Sequence, residues 1–191
     1  MKTTKLVLMA AACCFALTTN AQVTYGPVLG LNMANVGGDE SSDYAMKMGF
    51  HIGGLVDIGV SDNFAVETGI LYSGKGTQSS EESSLKWNIA YIDIPVLAKY
   101  KMESGLNFFA GPYVGILMSS EVTDGTNELD LKDNTSGTDF GMKLGLGFQM
   151  ESGLAFNAHY SLGLANLNKE GDASNTNGVI GISVAYMLGG D

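Results

Sequence analysis

The chain contains no arginine. Its ten basic residues are all lysine, set against twenty Asp and Glu, for a formal charge of −10 over 191 residues. A chain without Arg and without a basic patch lacks the electrostatic footprint of a nucleic-acid binder, so that class of partner is set aside. Cysteine is nearly absent too, with only Cys13 and Cys14. Long apolar runs are missing: Leu6 to Leu17 is twelve residues, short of the roughly 20 that a membrane-spanning helix needs. Past that run no amphipathic helical pattern of useful length occurs.

The opening MKTTKLVLMAAACCFALTTNAQ places Lys2 and Lys5 before the apolar run and ends it at Thr19-Asn20-Ala21. This reads as a secretory signal peptide over residues 1–21, cleaved before Gln22, with one domain over 22–191. A lipoprotein anchor at Cys13 or Cys14 is disfavoured, because Ala rather than Leu stands three residues before each. Removal of the signal takes both cysteines, so no disulfide is available to the exported chain. It leaves eight Lys against twenty acids, a net charge of −12.

What is abundant is glycine, 26 residues, about twice the ~7% average, and it lies mostly inside alternating segments. From Thr138 to Asn166 the apolar residues Phe140, Met142, Leu144, Leu146, Phe148 and Met150 occupy every second position. After Glu151-Ser152-Gly153 the alternation resumes with Leu154, Phe156, Tyr160, Leu162 and Leu164. A period of two on both sides of a short Ser-Gly connection is a hairpin. Six further alternating segments make eight: 23–35, 46–60, 64–77, 85–101, 106–122 and 177–188. Short connections (61–63, 102–105, 151–153) alternate with long acidic ones (36–45, 78–84, 123–137, 168–176). The expected fold is therefore all-β, an eight-stranded antiparallel up-and-down transmembrane barrel.

The second face decides between membrane and water. It is small and sparsely charged, as a narrow interior would be, whereas a water-facing surface carries more charge. Next to the short turns, the apolar face carries Tyr25, Phe64, Tyr100, Phe108, Phe148, Phe156 and Tyr186, the expected aromatic girdle at a membrane interface. A soluble lipocalin-like carrier is the same pattern turned inside out.

By parity the interior holds Lys47, His51, Asp57, Glu67, Asp93, Lys99, Lys143 and His159. Buried charges need partners, so Lys47, Glu67, Asp93, Lys99 and Lys143 are expected to line an internal ladder of ion pairs and hydrogen bonds that plugs the barrel. His159 and Ser161 share a face and, with a loop acid such as Glu170 or Asp172, would make a hydrolytic set. That pair resembles the His-x-Ser of lipid A deacylases, but Leu162-Gly163-Leu164 follows instead of an Asn-rich stretch. Asp124 to Asp130 offers oxygen at alternate positions without the full calcium-loop pattern. No catalytic, cofactor-binding or metal-ligating residue is assigned. Pro95 interrupts the fourth segment, and a local bulge is expected there.

The segment Tyr91-Ile92-Asp93-Ile94-Pro95-Val96-Leu97-Ala98-Lys99-Tyr100 resembles a recurrent stretch of the PorT-like outer-membrane β-barrel family. Gly30-Leu31-Asn32, Gly69 to Gly76, Gly111 to Gly115 and Tyr160 to Asn166 are similar to other pieces of that family. The resemblance implies a small eight-stranded barrel of the OmpA/OmpX kind in a Gram-negative outer membrane. Its expected partners are outer-membrane lipids, with periplasmic chaperones and the barrel-assembly machinery during biogenesis. The C-terminus departs from the aromatic ending of many such barrels, leaving Tyr186 or Leu188 as the expected assembly signal. The expected function is structural or surface-interacting, without a large pore. An accessory role in protein secretion, a lipid A-modifying hydrolase using His159 and Ser161, and a soluble carrier are the competing readings.

Overall fold

The structure, a computed structural model, describes residues 22–38, 44–82, 84–169 and 175–189. The expected signal peptide, the loop acids Asp39, Glu40, Asp43, Glu170 and Asp172, and the last two residues lie outside the described residues.

Eight long strands form: β1 (Val23–Gly38), β2 (Lys47–Gly59), β3 (Phe64–Ser79), β4 (Lys86–Lys101), β5 (Leu106–Thr123), β6 (Thr138–Gln149), β7 (Leu154–Gly163) and β8 (Asn175–Tyr186). Their bounds fall within three residues of those expected. Each pairs antiparallel with the next, and β1 pairs β8 from Val28↔Ala185 to Gly38↔Asn175. That last ladder closes the sheet, so the barrel proper leaves no open edge. Short pieces at Tyr44–Ala45, Glu128–Asp130 and Leu188–Gly189 extend the walls of β3, β5 and β1.

The alternation in sequence becomes two unlike surfaces. Outward residues such as Leu31, Ile52, Ile70, Val96, Leu144 and Ile182 are exposed, while the inward positions between them are buried. An apolar exterior around a polar interior suits lipid as the surrounding medium. It rules out the soluble carrier, which would keep its apolar residues inside. Two inner apolar clusters help fill the lumen. Val28, Leu55, Leu71, Ala155, Ala185 and Met187 pack near the short turns. Val36, Ile89, Tyr91, Leu117 and Leu167 pack toward the long loops, with Tyr44 and Trp87 against them. Two of the tight turns hinge on glycine: Gly105 and Gly153 sit at φ of +88° and +87°, where a side chain is strained. A Cβ on Gly153 would also come 2.3 Å from the Met187 carbonyl oxygen.

The bulge expected at Pro95 lies elsewhere in the same strand pair. Pro95 does not cause a bulge: it stays in register opposite Tyr113, and its carbonyl accepts the Thr68 hydroxyl at 2.8 Å. The β3–β4 ladder merely skips the pairs around it and resumes without a shift. The register shift lies between Ala90 and Tyr91, whose partners are Ser119 and Leu117. Met118 is thus the extra residue, and it turns Ser120 to the inside, where it is fully buried.

Candidate functional site: the charged interior and the outer mouth

The inward charges converge in two groups. The Lys99 ammonium (β4) donates to Asp57 Oδ2 (β2) at 2.9 Å and to Glu67 Oε2 (β3) at 2.8 Å. One lysine therefore staples three consecutive strands. The Lys75 ammonium (β3) donates to Asp93 Oδ1 (β4) at 3.0 Å and to Asp139 Oδ2 (β6) at 3.1 Å. β3 and β6 are not neighbours in the wall, so this contact crosses the lumen. The ammonium also stands 4.8 and 4.6 Å from the ring centroids of Tyr91 and Tyr113, within cation–π range. Asp139 Oδ2 further accepts the Tyr113 hydroxyl at 3.1 Å and the Asn177 amide at 3.0 Å. Asp139 and Asp57 are each held through Oδ2 alone, their Oδ1 atoms being buried without a hydrogen-bond partner among the described residues, so the lysine contacts are what make these buried carboxylates tolerable.

Glu67, Asp93 and Lys99 are thus brought together with acids or lysines in the interior. Two other expected lining residues are not in ion pairs. Lys143 is buried, and among the described residues it has no hydrogen bond or salt bridge. Lys47 is half-buried toward the long loops, and its ammonium donates to the Lys75 backbone carbonyl at 3.2 Å. The expected ladder thus resolves into two staples of six residues, Lys99 with Asp57 and Glu67 and Lys75 with Asp93 and Asp139, a hydrogen bond from Lys47 to backbone, and Lys143, which stands outside both staples. Sequence reasoning omitted Lys75 and Asp139, although the alternation of β3 and β6 points both inward.

His51 and His159 also face the lumen, their ring centroids 5.4 Å apart and edge to face. The Asn32 amide donates to Ser73 Oγ and to the Gly74 carbonyl. Its own carbonyl oxygen is left to accept His51 Nδ1–H at 2.8 Å, which places the proton on Nδ1. Ser161 is buried opposite Lys143 in the β6–β7 register. The hydrolytic pair thus points into a filled lumen rather than at lipid.

The girdle residues Tyr25, Phe64, Tyr100, Phe108, Phe148, Phe156 and Tyr186 are all exposed on the outer face. Phe64↔Tyr100↔Phe108 and Phe148↔Phe156 are direct cross-strand partners near the short turns, and the Phe64 and Tyr100 rings lie 5.0 Å apart. At the opposite mouth, the Asp124 carboxylate caps its own turn. It accepts the backbone N–H of Thr126 at 2.8 Å and of Asn127 at 2.7 Å, and the Asn127 amide at 3.1 Å. Those donors hold the carboxyl down to about 2. No cluster of three potential metal-ligating side chains occurs among the described residues.

A closed barrel with a greasy outside, a stapled polar inside and unlike ends defines a small transmembrane barrel protein. The pattern of the outer membrane protein beta-barrel domain matches residues 18–169, and the chain belongs to that family. It is an integral protein of the outer membrane. Among solved structures, it is similar to the Neisserial surface protein A at 11% identity and a TM-score of 0.59, over 85% of this chain and 96% of that one. It is also similar to Ail, the attachment invasion locus protein of Yersinia pestis, at 13% identity and a TM-score of 0.53, over 86% of this chain and 98% of that one. Ail in complex with the heparin analogue sucrose octasulfate matches at 13% identity and a TM-score of 0.55, over 87% and 99%. At these identities the likeness is one of fold. No curated protein matches the sequence.

Proposed function

We propose that this protein is a plugged barrel whose work is done outside the membrane, by surface interaction through its long loops. The observation that carries the reading is the contact of Lys75 with Asp139 across the lumen. A barrel braced through its centre by an ion pair has no room for a large channel. In this reading residues 1–21 direct export, chaperones and the assembly machinery insert the barrel, and the short turns face the periplasm. The aromatic row from Tyr25 to Tyr186 then sits at the inner interface, and the acidic loops face the medium. The sulfated ligand seen on Ail is a poor guide here: a chain without Arg and with twenty acids repels polyanions. Purified protein in planar bilayers should show no sustained large conductance, and protease added to intact cells should cut the long loops. A steady open channel would overturn the reading.

The likeness of Tyr91 to Tyr100 to the PorT-like segment favours a second reading, an accessory of protein secretion. Yet Tyr91, Asp93, Pro95 and Lys99 are all buried inward residues, and packing of the plug accounts for the motif. Unchanged export of secreted proteins after deletion would remove the secretion role. The lipid A hydrolase has the weaker footing, since Ser161 is inside. Identical lipid A profiles from the wild type and Ser161→Ala would dismiss it.

A further inference from the structure

The long-loop mouth holds a pocket of about 290 Å³ whose wall includes Tyr44, Gln78, Lys86, Trp87, Leu131 and Asn134. Trp87 is the only tryptophan in the chain, and its place is fixed. Its indole N–H donates to Ser120 Oγ at 2.8 Å, that hydroxyl meets Thr135 Oγ1 at 2.7 Å, and Thr135 Oγ1 donates to the Leu131 carbonyl at 2.9 Å. The chain of hydroxyls ties the ring to the loop that carries Asn134. Tyr44 and Trp87 both rest on the buried cluster around Tyr91, so the aromatic wall is preformed. The side-chain amides of Gln78 and Asn134 make no hydrogen bond among the described residues, and each offers donors and an acceptor.

The charge of the site narrows its ligand. The described wall contains no carboxylate and one cation, Lys86, so cations are unwelcome. The acidic loops around the mouth disfavour anions. A neutral ligand with an apolar face for the rings and hydroxyls for the amides satisfies all three features, and a pyranose ring has that form. We propose that this pocket binds a neutral pyranose sugar presented at the cell surface. The proposal rests on the surface-interaction reading and gives it a ligand class.

Because Trp87 is the sole indole, its emission reports on the pocket alone. Proteoliposomes would be titrated with glucose, galactose, mannose, N-acetylglucosamine, cellobiose, lactose and chitobiose, with sucrose octasulfate as the anionic control. At least one neutral sugar should shift the emission saturably. Removing two amides in Gln78→Ala/Asn134→Ala should weaken that response roughly tenfold, while the heat-dependent gel shift of the folded barrel is retained. No response to any neutral sugar, a response that the double variant keeps in full, or a response confined to sucrose octasulfate overturns the proposal. Conductance measured on the same proteoliposomes separates the two readings. A closed barrel blind to sugars loses only the ligand, whereas an open channel removes the surface-interaction reading beneath it.

Discussion

His51 and His159 come from β2 and β7, strands that never pair, yet their rings meet at 5.4 Å over the seam where β1 and β8 close the barrel. Two glycines make this contact possible. Gly30 of β1 is the cross-strand partner of His51, and Gly181 of β8 is that of His159. The three atoms nearest a Cβ on Gly181 all belong to the His159 ring, the first at 2.3 Å, whereas one on Gly30 would meet both the His51 ring and the Ile182 carbonyl oxygen at 2.3 Å. Gly181→Ala is therefore expected to destabilise by about 1–3 kcal/mol, and Gly30→Ala by more. Urea titration in liposomes reads both. Removing the ring in His159→Ala should largely rescue Gly181→Ala but leave Gly30→Ala impaired. Equal damage in both backgrounds would show that the ring is not the obstacle.

The two classes of interior lysine should respond very unequally to neutralisation. Lys99→Met strands Asp57 and Glu67 in the interior, and breaking a buried pair from one side costs about 3–5 kcal/mol. Lys143→Met strands nothing that was hydrogen-bonded to it, so its cost should be much smaller. Neutralising the acids as well, in Lys99→Met/Asp57→Asn/Glu67→Gln, should recover most of the loss. Unfolding free energies that rank Lys143→Met as the worse single change would contradict the assignment of staples.

Much of this was legible in the sequence because strand parity is rigid. A period of two, counted from Phe140, Phe64 and Tyr100 in their own strands, sends Lys143, Glu67 and Lys99 inward with no further information. The same count reaches Lys75 and Asp139, but both lie near the loop ends of their strands, where a polar residue also reads as the start of a loop. Two things could not be counted. Which lysine meets which acid depends on side chains reaching across the lumen, as Lys75 does to Asp139. The slip at Met118 reverses parity with neither Gly nor Pro to mark it, so Ser120 and its bond to Trp87 were hidden. Pro95 misled in the other direction, because a nearby Thr68 hydroxyl takes its carbonyl and register is kept.

The turn capped by Asp124 should have a pH limit of its own. The folded carboxyl sits at about 2, below its ordinary 3.8. A depressed folded value means the cap's contribution is complete above the ordinary value and is lost as pH falls through about 2. Amide exchange at Thr126 and Asn127 should thus stay slow at pH 3 and quicken only below that lower value. Asp124→Ala should exchange fast throughout. Protection lost already at ordinary carboxyl pH would mean that the backbone donors do not hold the anion.

The lipid-facing assignment predicts a depth profile. Leu144 faces outward halfway along β6, and Met150 faces outward just past its end at the short turn. In a bilayer, Arg near the midplane of a barrel's outer face costs about 2–4 kcal/mol and near the interface about 0–1 kcal/mol. Leu144→Arg should therefore destabilise strongly in liposomes and Met150→Arg hardly at all. Both residues are comparably exposed, so solvent accessibility alone gives no reason for a difference. Equal, small effects of the two substitutions would mean that the apolar belt does not face hydrocarbon, and the membrane position derived from it would fall.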